Sequence, residues 1–199
     1  MKRLLSAAFV ATLMAAAACN GGGEQIATPR PTAYPRLSVA PALYHPLDAG
    51  GVALEVNDAT TDSVYQREAS TWVNIVYPTY CNGSTIYLTI TPATAATVDG
   101  IIDNRLERIA LNLGDSEAEV TELETPTGWQ CRLVRALSPT MTPLQFIATG
   151  HDRVVSGAYY ISAAGDSVAP LVNAVERDIL HLLTQLSPHN SLRSHVRGY

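Results

Sequence analysis

The stretch WVNIVYPTYCNGSTIYLTIT, from Trp72 to Thr91, decides the architecture of this chain. Trp72 to Tyr77 is rich in aromatic and β-branched side chains, the types that suit a pleated, half-buried surface. Ile86, Leu88 and Ile90 alternate with Tyr87, Thr89 and Thr91, so a strand here has one apolar face. Between the two runs, Asn82-Gly83 tolerates the positive φ angles of a tight hairpin turn. The expectation is an antiparallel β-hairpin.

Downstream of it the period changes. Val98, Ile102, Leu106, Ile109 and Leu113 form one helical stripe, with Asp99, Asp103 and Arg108 off it and Gly114 placed to stop the helix. Three weaker strands follow, over Ala118 to Leu123, Gln130 to Leu137 and Leu144 to Thr149. Arg153 to Ile161 completes a hairpin around Gly150-His151-Asp152. A last helix has Asp166 and Ser167 before it, Pro170 in its first turn, and Leu171, Val175, Ile179, Leu182 and Leu186 as its stripe. Pro188 ends it, and residues 188–199 read as a polar, disordered tail.

Upstream, Val52, Leu54 and Val56 alternate as a short strand, and the domain is placed at residues 47–187. Strands, helix, strands and helix in that order give an α+β fold: an antiparallel sheet with both helices packed on it, in a single domain. Residues 19–46 carry Asn20-Gly21-Gly22-Gly23 and then Pro29, Pro31, Pro35, Pro41 and Pro46, the composition of a Gly- and Pro-rich tether with an edge strand near Arg36 to Val39.

The first eighteen residues set the compartment. Lys2 and Arg3 precede Leu4 to Ala18, an uncharged run too short for a membrane-spanning helix and suited to an export signal. Ala16-Ala17-Ala18-Cys19 resembles a bacterial lipobox, with Ala16 where Leu is usual, and makes Cys19 the expected lipidation site. Palmitate-type chains on Cys19 suffice for stable anchoring; ordinary cleavage after Ala17 or Ala18 is the alternative. Asn20 is not a strong inner-membrane retention signal, so the expected position is the periplasmic face of the outer membrane. Export permits a disulfide between Cys81 and Cys131, which are otherwise two buried thiols.

Thirteen Lys and Arg against eighteen Asp and Glu exclude a broad phosphate-binding surface, hence nucleic acid. The five histidines lie far apart, without HExxH or paired CxxC spacing, so neither metal nor cofactor is expected. Asp178 and His181 share a helical face as a ligand pair or a surface ion pair. Ser156-Gly157 lacks a nucleophile elbow, and no catalytic residue is assigned. Glu117, Glu119, Glu122 and Glu124 read as one acidic strand face, either solvated or docking a basic partner. Tyr77, Tyr80, Tyr159 and Tyr160 are ordinary packing residues or the lining of a groove, while Trp72 and Tyr160 are assigned to folding.

Several of these segments also resemble one family. Pro29-Arg30-Pro31 with Tyr34-Pro35-Arg36-Leu37, Trp72-Val73-Asn74-Ile75 with Tyr77-Pro78 and Tyr80, and Asn82-Gly83 before Ile86-Tyr87-Leu88 are similar to the gliding-motility lipoprotein GldD of Bacteroidota. Gly157-Ala158-Tyr159-Tyr160-Ile161, Asp166-Ser167-x-Ala169-Pro170 and Asp178-Ile179-x-His181-Leu182 extend the likeness. It does not extend to Leu43–Ser70, and Thr71 stands where the family's cysteine is expected. The resemblance implies a non-enzymatic envelope lipoprotein that supports gliding and type IX secretion through protein contacts. The order of elements is also similar to the Mog1/PsbP type of α/β/α sandwich. The competing expectations are a periplasmic hydrolase assembled from distant residues, recognisable by a pocket joining His151 or His181 to a carboxylate and a nucleophile, and a small-ligand carrier with a deep apolar cavity.

Overall fold

In a computed structural model, described for residues 38–81, 83–163 and 168–189, the Trp72–Thr91 stretch forms the expected antiparallel hairpin. Its strands are β4 (Ser70–Tyr77) and β5 (Ser84–Pro92). The turn differs from expectation. Tyr77 pairs with Ser84, so a six-residue connection replaces a tight two-residue turn, with positive φ at Cys81 and Gly83; Asn82 lies outside the described residues. Tyr80 explains the longer loop, because its ring is buried against Tyr77 at 5.0 Å and draws the chain back over the core before β5 begins.

The remaining strands are β1 (Tyr44–Ala49), β2 (Val52–Asn57), β3 (Thr61–Arg67), β6 (Ala118–Glu124), β7 (Gln130–Ala136), β8 (Leu144–Gly150), β9 (Arg153–Tyr160) and the two-residue β10 (Ser187–Pro188). Seven of the ten form one antiparallel sheet in the order β3-β4-β5-β9-β8-β7-β6. β1, β2 and β10 form a second, small sheet. The fold is α+β and antiparallel, as the sequence implied.

The helices are α1 (Val98–Leu113) and α2 (Ala169–Thr184), and they sit on opposite faces of the large sheet. On α2 the expected stripe is buried throughout: Leu171, Val175, Ile179 and Leu182, with Leu186 just beyond the helix. Each such side chain contributes about 1.5–3 kcal/mol. They join Ile75, Leu88, Phe146 and Tyr159 of the large sheet and Val52, Leu54 and Val56 of the small one in one main core. α1 covers a lesser cluster of Ala93, Ile147 and Val154 through Val98, Ile101, Ile102 and Leu106. Gly114 ends it, with φ +56° and its N–H donating to the Ala110 carbonyl. Asp166 and Ser167, expected to precede α2, lie outside the described residues.

The edges of the domain depart from expectation. Tyr44 to Pro46, assigned to the tether, form half of β1, because pairing with β2 satisfies their backbone. Ser38 and Val39, expected near an edge strand, have no regular structure. At the other end, Pro188 belongs to β10 and the His189 N–H donates to the Gly51 carbonyl, so these two are not tail; residues 190–199 lie outside the described residues.

Candidate functional site

Three features carry the polar chemistry of the domain. The first is Asp178 on α2, buried to 4% exposure. Its Oδ1 accepts hydrogen bonds from the Tyr44 hydroxyl at 2.9 Å and from Arg177 Nε and Nη2 at 3.1 and 2.8 Å. Its Oδ2 accepts from Asn57 Nδ2 at 3.1 Å and the Tyr77 hydroxyl at 3.0 Å. Asn57 also donates to the Pro41 carbonyl, and the Tyr80 hydroxyl receives the Ala40 N–H. Burial, reinforced by the adjacent carboxylate, raises the pKa of Tyr77 far above the ordinary phenol value, while the hydrogen bond to Asp178 raises that of Arg177. The cluster fastens the incoming chain, β1, β2, β4 and α2 together.

This corrects the expected pairing of Asp178 with His181. His181 is bonded instead to Glu55 on β2, 2.7 Å from Nε2 to the carboxylate, and stacks on Tyr44 at 3.7 Å. The i, i+3 spacing placed both residues on one side of the helix, but Asp178 points into the core and His181 to its margin. His151 donates from its Nε2–H to the Thr127 carbonyl. Among the described residues, no three His, Cys, Asp or Glu side chains have a geometry that would hold a metal ion. Cys81 and Cys131 are free thiols, and burial pushes the Cys131 pKa up to about 11.

The second feature is a cleft of about 460 Å³ between α1 and strands β6 to β8. Ile102, Leu106 and Ile147 form its apolar part, beside Glu122, Glu124 and Arg132. A purely apolar ligand here would desolvate charges without pairing them. Neither His151 nor His181 lines this cleft or the smaller one of about 170 Å³ beside the N-terminus of α2.

The acidic run borders the same region. All four glutamates are exposed, but they do not share one face. Glu119 and Glu122 are three residues apart on β6, and side chains alternate with a period of two. Glu122 therefore lies on the α1 side, bonded to its cross-strand neighbour Arg132 at 2.7 Å, while Glu119 lies opposite Arg135, which pairs with Glu176 of α2.

The third feature was hidden in the aromatic residues. Tyr77, Tyr80 and Tyr159 are core, but Tyr160 is 41% exposed and Trp72 only half-buried. The buried tryptophan is Trp129, which the sequence reading did not single out. Tyr65, Trp72, Tyr87 and Tyr160 instead project from the α1 side of the sheet, over β3, β4, β5 and the end of β9, where α1 does not reach. Tyr65 and Trp72 stack at 6.2 Å, and the Arg67 guanidinium lies 5.4 Å from the Trp72 ring. The hydrophobic alternation of β4 marked its buried face and left this one unread.

No helix among the described residues is long and apolar enough to cross a membrane. Comparison with protein families matches the chain to the gliding motility lipoprotein GldD family over residues 24–187. A search of curated proteins gives no match.

Proposed function

The chain belongs to the gliding motility lipoprotein GldD family, and from that premise we propose that it is a non-enzymatic part of the gliding and type IX secretion machinery, anchored in the envelope and acting through protein contacts. The observation that carries the reading is the extent of the family match, which spans every described element through Ser187. The fold is consistent with a contact role: the Asp178 cluster holds elements together, and charged and aromatic side chains are exposed among the described residues.

The match begins after Cys19, so lipidation at that residue rests on the small side chains before it and the glycines after it. The outer membrane's periplasmic face is the proposed location. Deleting the gene tests the role: surface spreading and secreted cargo should both fall, and both should return with the wild type but not with Cys19→Ala. Normal spreading and secretion in the deletion strain would end the proposal. The acidic edge is the proposed contact for a basic partner, now as two faces rather than one. Glu119→Lys with Glu124→Lys should weaken co-purification of machinery components; unchanged recovery would show that the edge is merely solvated.

A further inference from the structure

Among the described residues, the seven-stranded sheet is only partly covered on its α1 side. Strands lie about 4.8 Å apart, so the distance from β9 to β3 is about 14 Å, and a helix is about 10 Å across. α1 packs over β8 and β9. A slot one helix wide therefore lies open beside it, floored by β5, β4 and β3.

The chemistry of that slot is unlike the rest of the surface. Two rows cross it: Ser63, Asn74, Tyr87 and Ala158, and beside them Tyr65, Trp72, Thr89 and Ser156. Neither row contains a carboxylate, in a chain with eighteen. All the exposed aromatic side chains among the described residues, Tyr65, Tyr87 and Tyr160, belong to this face. Asn74 Oδ1, beside Trp72 and Tyr87 in the pairing pattern, is buried and without a hydrogen-bond partner.

Arginines frame it. Arg67 stands at the β3 rim. Arg108 comes one residue before the buried Ile109 and so lies about 100° around the helix, while Arg105, four residues from both Ile101 and Ile109, lies between them towards the sheet. Leu106 and Ile102 line the cleft towards β6, which puts Arg108 on the opposite flank, towards the open slot, with Arg105 beneath it. Arg132, Arg135 and Arg177 all hold carboxylates, whereas Arg67, Arg105 and Arg108 have none within 4 Å among the described residues. Arg105 Nε is buried without a partner, and its pKa is lowered by burial and then by the charge of Arg108.

We propose that this open, arginine-framed aromatic slot is a docking site for an amphipathic helix of another protein, apolar towards Trp72 and Tyr87 and acidic along its flanks. The helix lies beside α1, completes the cover of the sheet, and brings carboxylates to Arg67 and Arg108. A membrane surface is the poorer fit. α1 rises about 10 Å above the slot and presents Asp99, Asp103 and Glu107 outward, so a bilayer approaching this side meets exposed carboxylates before the aromatic rings.

The docking is independent of the motility role, and one experiment separates them. A photo-crosslinking amino acid is placed at Tyr87 in the full-length protein in cells, and at Leu111, exposed on α1 outside the slot, as the control. The expected result is a crosslinked peptide, mapped by mass spectrometry from Tyr87 but not Leu111, with apolar residues at helical spacing and flanking acidic ones. Yield should fall at least fivefold in Arg67→Glu with Arg108→Glu. Both residues are exposed, and the milder Arg67→Gln with Arg108→Gln covers any loss of folding. Crosslinks to lipid, to a second copy or to nothing would overturn the inference, as would a yield indifferent to the arginines. Capture of such a helix from a protein unconnected with gliding would establish the docking site and leave the motility role to be decided by the gene deletion.

Discussion

A carboxylate taken out of water must have its oxygens answered, and those of Asp178 receive five hydrogen bonds from four residues. Removing it strands Tyr44, Asn57 and Tyr77 together, at the end of β1 where the chain from the amino terminus joins the domain. Asp178→Ala should therefore cost about 1–3 kcal/mol in chemical denaturation for each of the buried donors, Asn57 and Tyr77, that it leaves without an acceptor. A loss under about 1 kcal/mol would show the cluster to be ornamental. The two thiols differ in the same physical way. Burial favours the neutral form of Cys131 and holds its pKa near 11, so at pH 8 almost none of it is thiolate. In the native protein, iodoacetamide should modify half-buried Cys81 first and reach Cys131 only on unfolding. Equal rates would contradict the packing of β7. Asp178 stands on the apolar stripe itself, three residues after Val175 and four before Leu182, a sign of burial that its reading as a surface ion pair passed over, whereas a cysteine in a mixed strand has the same letters whether buried or wet.

At the scale of elements, both helices were readable because their apolar stripes are long and end at Gly114 and Pro188. β3 was not. All seven of its residues are exposed, so TDSVYQR shows no alternation, and pairing with β4 alone makes it a strand. β1 was masked by Pro46, which the edge of a small sheet tolerates because no ladder hydrogen bond is lost there. Where strands cross the core, space is the constraint. Gly157 on β9 lies directly opposite Phe146 on β8, and a Cβ at Gly157 would come within 2.4 Å of the Phe146 ring. Gly157→Ala should destabilise by about 1–3 kcal/mol through forced repacking, read as a lower urea midpoint. An unchanged midpoint would mean that the ring has room to move. The acidic run belongs to this scale too. Glu119, Glu122 and Glu124 lie on β6 and Glu117 just before it, but the three-residue step from Glu119 to Glu122 changes face, and counting glutamates without counting parity hid that.

The whole molecule records its burial in its alkaline stability. Burial holds the protons of Tyr77 and Tyr159 on their hydroxyls, Tyr159 up to about pH 12 and Tyr77 beyond it, whereas an unfolded tyrosine releases its proton near pH 10. Above about pH 10 the unfolded chain binds fewer protons than the native one, so stability falls as pH rises, at roughly 1.4 kcal/mol per pH unit for each such tyrosine. Below about pH 10 these groups add no pH dependence. Urea midpoints between pH 9 and 11 should show the fall, and Tyr77→Phe should flatten it; a parallel curve for that variant would refute the assignment.

The sequence alone determined the antiparallel α+β class, both helices, most strands of the large sheet, and the likeness to a lipoprotein family, because these rest on periodicity, turn chemistry and segment order along the chain. Tertiary structure alone decided which tryptophan is core, which groups answer Asp178, that His181 belongs to Glu55, and that the two flanks of one sheet face differ in charge. Those properties depend on which elements become neighbours. A half-covered sheet has the same alternating letters as a covered one, and the difference lies in how far α1 reaches across it.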